Sequence, residues 1–168
     1  MKRLIIALAA IVISVGAASA QKYIVVNSEQ IFRSITEYNS AMSTLDAMAK
    51  DYQSKVDAAY ARVEGLYNSY MSQKQSLTEA ERTAQEQSIL AEERKAAEYQ
   101  EAVFGNEGLM IKKRIELIQP IQRKVFAAIE SYAKEGGYEM VLDKASNASM
   151  LYNSESVDHT NKIIELLK

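Results

Sequence analysis

The chain contains no cysteine and no tryptophan, and its 168 residues include one proline, one histidine and six glycines. Without thiols there is no disulfide framework, thiolate nucleophile, cysteine-ligated zinc or Fe–S cluster, and His159 alone cannot build a multi-histidine metal site. A G-x-x-x-x-G-K-[ST] loop is also missing, so nothing suggests a nucleotide motor, and no cofactor is expected. His159 falls near the start of the last helical segment, with no base, nucleophile and orienting group together. It reads as an exposed or satisfied polar residue. Acidic pairs such as Glu92 and Glu93 fall on a charged helix face with no apolar pocket to perturb them, so an enzyme is not expected.

What is present begins with a leader. Lys2 and Arg3 precede an apolar run over residues 4–15, broken only by Ser14, and the segment ends in Ala18-Ser19-Ala20. The run is shorter than the roughly 20 residues a bilayer core requires, and the A-x-A end suits a signal peptidase. It reads as a signal peptide, residues 1–20, cleaved after Ala20; an uncleaved anchor is the alternative. The remaining chain holds 18 basic and 22 acidic side chains, a formal charge of −4, which gives no basic balance of the kind that would suggest nucleic acid. The expected compartment is the periplasm.

Residues 23–27 form a short β-branched and aromatic run that reads as a strand, with Ser28 as a candidate helix cap. From Ile31 the period changes. Ile31, Ile35, Tyr38, Met42, Leu45, Met48, Tyr52, Val56, Ala59, Val63, Leu66 and Tyr70 recur every three or four residues, about 3.5 on average, which predicts one long helix with an apolar seam. Thr78 and Glu81 have the spacing of a capping box, which places a hairpin tip near 78 and starts a second helical stretch that reaches Lys134. An antiparallel return around that tip sets Met48 opposite Met110. Gly136 and Gly137 stop the second helix.

Gly105 and Gly108 interrupt that helix. Either they form a joint that lets the hairpin splay, or they admit a bulky first-helix side chain such as Tyr52. Pro120 removes a bond to the Glu116 carbonyl and should bend the helix. Residues 138–142 and 148–152 then read as two strands of a hairpin with a five-residue loop, and a short amphipathic helix over 157–168, capped by Ser154 or Ser156, closes the chain.

The fold class is therefore α+β and mostly α: a long antiparallel helical hairpin, a coiled-coil arm, on a small β body. The body takes 21–44 and 113–168 and the arm 45–112, which extends about 50 Å at 1.5 Å per residue. One copy has little interior, and both faces of Ile24-Val25-Val26 look apolar, so self-association through Ile24, Val26, Val141, Leu142, Leu151 and Tyr152 is expected.

Three segments carry a resemblance. They are Lys22-Tyr23-Ile24-Val25-Val26-Asn27 near Ile31-Phe32; Pro120-Ile121 through Ala127 and Ile129 to Ala133-Lys134-Glu135-Gly136-Gly137-Tyr138; and Val141-Leu142-Asp143 through Leu151-Tyr152-Asn153-Ser154 to the terminal helix. The chain resembles the Skp/OmpH-like periplasmic chaperones over essentially its whole mature length. That resemblance implies a jellyfish-shaped homotrimer, its β body completed by trimerisation and its three helical arms enclosing a cavity. The cavity would hold unfolded outer-membrane proteins without ATP and hand them on for outer-membrane assembly.

Candidate contacts follow from side-chain character. Tyr60, Tyr67 and Met71 lie off the main seam at helical spacing and offer adaptable apolar area to a client, although the same spacing would also serve packing between the two helices. Residues 46–101 hold seven basic and eleven acidic side chains, unlike the strongly basic members of the resembled family. By contrast, residues 112–134 carry +4. Lys112 and Lys113 there are candidates for acidic clients, lipopolysaccharide phosphate or a membrane surface, or else belong to an ordinary solvated face. The competing function is a coiled-coil structural or adaptor protein of the envelope with a fixed partner; a prefoldin-like cytosolic chaperone shares the arm-on-body plan but conflicts with the leader.

Overall fold

The computed structural model describes residues 22–146 and 150–168. The leader read at 1–20 lies outside them, as do Asn147 of the predicted five-residue loop and Ala148 and Ser149 of the second strand-like run. The described residues fall into two compact units, 22–35 with 124–168, and 36–123.

The first unit is built on β1 (Tyr23–Val26) and β2 (Met140–Asp143), paired in parallel with Tyr23 opposite Met140 and Val26 opposite Asp143. On the other edge of β1 the His159 N–H donates to the Val25 carbonyl at 2.9 Å, and Val25 forms a parallel bridge with Asp158. β1 is thus occupied on both edges. Ile24, Val25 and Val26 are at most 2% exposed within a single chain. A parallel pair requires a long crossover, and the intervening helices supply it. Among the described residues the predicted antiparallel hairpin has no second strand: Met150 to Tyr152 is not a strand, and Leu151 and Tyr152 are 96% and 84% exposed. The partner that β2 takes is 114 or more residues away in sequence, not the adjacent run.

After β1, α1 (Ser28–Arg33) is capped by Asn27, whose side chain accepts from Gln30 N–H, and not by Ser28. Ser34 closes this helix through its own N–H and a 2.7 Å hydroxyl bond to the Ile31 carbonyl, so the single helix expected from Ile31 onward is in fact two. At the C-terminal side, α4 (Leu109–Glu135) ends at Gly136-Gly137, where Gly137 adopts φ +64° and the Tyr138 N–H returns to the Ala133 carbonyl. A short 3₁₀ turn (Glu155–Val157) precedes α5 (Thr160–Leu166), which packs on α1 and buries Ile163. Ser154 and Ser156 bond to one another, and Asp158 receives the Thr160 N–H in place of the expected serine cap.

Polar side chains clasp these ends. Asp143 accepts from the Ser28 N–H (3.0 Å) and hydroxyl (2.6 Å); Asp158 accepts from Lys144 (2.5 Å) and the Thr160 hydroxyl (2.6 Å); Thr160 in turn accepts the Asn27 N–H (2.9 Å). Partial burial pushes the Asp158 carboxyl up, but the Lys144 ammonium and the Thr160 donors outweigh it and hold the group at about 2. Asp143 is lowered in the same way by Ser28, Ala145 and Ser146 against its own desolvation. A depressed carboxylate stabilises the fold fully above the unfolded value of 3.8 and loses that contribution as pH falls toward 2. Stability of about 1–2 kcal/mol is expected to disappear over that window, allowing for partial solvent exposure. Chemical denaturation at pH 5, 3.5 and 2.5 checks this, with Asp158→Asn giving a shallower fall.

The second unit is a helical hairpin of α2 (Thr36–Gln73) against α3 (Glu79–Phe104) and the start of α4. The Thr78–Glu81 capping box is present in both directions, and its hydrogen bonds lower the Glu81 carboxyl. Tyr60 donates across to Gln100 at 3.0 Å and Tyr70 to Glu86, the antiparallel register that a tip near 78 requires. Ala41, Leu45 and Ile118 form a buried cluster, with Tyr38, Met42 and Met110 packed against it.

The second helical stretch is broken between Phe104 and Leu109, and both glycines belong to the break. A Cβ on Gly108 would lie 2.5 Å from the Val103 carbonyl oxygen, and one on Gly105 at 2.5 Å from the Glu101 carbonyl oxygen. At both glycines the nearest atoms are main-chain and side-chain atoms of the preceding turn. α4 continues through Pro120 without interruption.

Candidate functional site

Among the described residues no helix is long and apolar enough to cross a membrane, and no group of three or more His, Asp or Glu is placed to hold a metal ion. An exposed apolar feature of the hairpin lies toward its tip, where Tyr67, Tyr70, Met71 and Lys74 of α2 face Glu86, Ile89, Leu90 and Glu93 of α3 around an open groove of about 400 Å³. Tyr70 forms its floor, being 4% exposed and bonded to Glu86, while the Lys74 ammonium stands 5.3 Å from its ring centre. The Glu86 bond and desolvation raise the Tyr70 hydroxyl. Tyr67, Met71 and Leu90 form the walls and are 51%, 48% and 62% exposed.

Two further grooves show that the flanks of the hairpin differ. Asp46, Tyr60, Tyr67 and Lys74 repeat at multiples of seven and so follow one flank of α2. On that flank Met42, Leu45, Ala49, Met110 and Ile111 line a groove of about 220 Å³ rimmed by Asp46 and Arg114. Lys55 and Arg62, also seven apart, mark the other flank, where alanines 58, 59 and 96 sit among Lys55, Arg62, Glu92 and Lys95. Glu92 pairs with Lys95 at 2.6 Å there, and that bond lowers its carboxyl. Tyr99 completes this second lining, so the two flanks differ in charge: the tip groove exposes larger apolar side chains, and this one is rimmed by ion-paired residues.

Of the residues singled out from the sequence, Tyr60 (38% exposed), Tyr67 and Met71 share this flank, and Tyr67 and Met71 line one groove. Lys112 is exposed, whereas Lys113 is half-buried and paired with Glu116 at 2.7 Å. Val141 and Leu142 are half-buried in β2; Ile24 and Val26 are buried; Leu151 and Tyr152 are open. His159 is 6% exposed and bonds Tyr132 through Nδ1 at 2.9 Å, with the Tyr132 and Tyr138 rings edge-on to it, so its role is a satisfied one within the unit. Leu90 and Glu93 were missed. The adjacent Ile89-Leu90 pair in an otherwise polar helix was the available signal, and Glu93, read as lying on a charged face, lines the apolar groove.

A long helical hairpin with exposed apolar grooves, in a chain that also forms a small parallel sheet, defines a class of helical-hairpin binding proteins. The family model described as outer membrane protein (OmpH-like) matches residues 22–167, and the chain belongs to that family. Its members are non-enzymatic, and membership implies a periplasmic chaperone role. No individual curated protein matches the chain.

Proposed function

We propose that this protein is an ATP-independent holdase that binds unfolded outer-membrane β-barrel proteins between its arms, keeps them from aggregating and delivers them for outer-membrane assembly. The observation that carries this reading is the tip groove, where Tyr67, Met71 and Leu90 expose large apolar side chains on one flank of a stable hairpin. Flexible methionine and amphipathic tyrosine adapt to varied apolar segments, and many weak contacts shield them until folding in a membrane buries more surface. Tyr60 extends the same contact surface, and Lys112 with Lys113 supplies a basic region for acidic client segments or lipopolysaccharide. A homotrimer, with 21–44 and 113–168 as body and 45–112 as arm, places three such flanks around one client. Residues 105–108 and Pro120 serve as the joints by which the arms adjust, and export with cleavage after Ala20 delivers the chain to the periplasm.

Dilution of a urea-denatured β-barrel protein into buffer with and without the chain tests the proposal. Light scattering is expected to be suppressed at a stoichiometry of one client per native oligomer, the oligomer being defined by native mass. No suppression, together with a single tightly bound envelope partner, would overturn it in favour of an adaptor.

A further inference from the structure

The tip groove is not electrically neutral, and its charges are not equivalent. Lys74 is engaged over the Tyr70 ring, and Glu86 accepts the Tyr70 hydroxyl. Glu93 lines the same groove, yet among the described residues it has no ion-pair or hydrogen-bond partner. Its sequence neighbour Glu92 points to the opposite flank and is neutralised by Lys95. An anionic group is thus left beside Leu90 in a groove whose other charged groups, Lys74 and Glu86, both engage Tyr70, on a stretch, 46–101, with four more acidic than basic side chains.

From this we infer that the groove selects a particular class of client segment: an extended apolar or aromatic stretch carrying a lysine or arginine, its side chains covering Tyr67, Met71 and Leu90 and its cation meeting the Glu93 carboxylate. The inference rests on the holdase reading and adds the charge of the segment. An apolar segment bearing Asp or Glu would bring a second carboxylate against Glu93 and the acidic surroundings, which is unfavourable, while a cation gains a partner without displacing one already in use. A partly exposed pair of this kind changes affinity by about fivefold and weakens with salt.

Two fluorescein-labelled nine-residue peptides test it, both alternating Phe or Leu with Ser, one with two lysines and the other with two glutamates. Anisotropy against the full chain at low salt is expected to favour the lysine peptide by about fivefold, with the preference shrinking in 0.5 M NaCl. Glu93→Lys should reverse the order, and Leu90→Ser should weaken both peptides while leaving their order unchanged. Because both positions are solvent-facing, circular dichroism should be unaltered. Equal binding of the two peptides, or an order that Glu93→Lys leaves unchanged, overturns the charge selection. If that happens while the denatured β-barrel protein is still protected, the holdase reading survives alone; if protection is also absent, both fail. Concentration-dependent self-association that Leu90→Ser abolishes, with no peptide bound, would assign the groove to a second copy and overturn the inference.

Discussion

Joint replacement of Tyr67, Met71 and Leu90 by serine is expected to abolish most protection of a denatured β-barrel client while leaving the hairpin folded. All three side chains face solvent by about half or more, so their removal leaves no core void. The change in helix propensity amounts to about 0.5 kcal/mol per site or less. Each exposed apolar side chain offers a client about 1–2 kcal/mol on burial, and in the proposed trimer repetition over three arms multiplies the loss through effective concentration. A midpoint within a few degrees of wild type, with scattering close to the unprotected control, is the expected result. Tyr70→Ser makes the contrasting control: Tyr70 is buried and bonded to Glu86, so its loss should lower the midpoint markedly. If the triple variant protected as well as wild type, the tip groove would not be where clients are held, and the three residues would serve only to broaden helix packing.

Much of this architecture is legible because it is local and periodic. The seam from Tyr38 to Tyr70, the Thr78–Glu81 box and the Gly136-Gly137 stop each encode their geometry within a few residues, and all three appear where the spacing puts them. What misleads is non-local. Val141 and Leu142 have a strand-like neighbour in residues 148–152, but β1 offers an edge that only the returning chain reveals. Polar residues were undervalued for the same reason: Asp143 and Thr160 look like ordinary loop residues, and their value lies in partners more than 100 positions away, Ser28 and Asn27. In the groove, Met71 and Tyr67 were visible as off-seam apolar residues, whereas Leu90 and Glu93 gain meaning only when α3 is laid against α2. A one-letter neighbour pair, Glu92-Glu93, splits to two flanks because consecutive helical residues point about 100° apart.

The exposed segment after β2 leads to the second large effect. Leu151 and Tyr152 protrude almost fully into solvent, and Tyr23 and Met140, opposite one another across the β1–β2 pair, are also about half exposed. Ile24, Val26, Val125 and Ile163, by contrast, are buried within one chain. Two kinds of substitution should therefore separate. Leu151→Asp with Tyr152→Asp removes nothing from the interior of a protomer but places charge on the surface proposed to join subunits. It is expected to shift the native mass from oligomer to single chains at micromolar concentration and to abolish client protection with helicity retained. Ile24→Ala empties a fully buried site in the central strand and should reduce stability by about 2–5 kcal/mol, lowering the denaturation midpoint at every protein concentration. Native mass and concentration-dependent melting distinguish the two. An oligomer that survives both aspartates would mean that subunits meet elsewhere, whereas a stable, protective single chain would show that assembly is dispensable for holding a client.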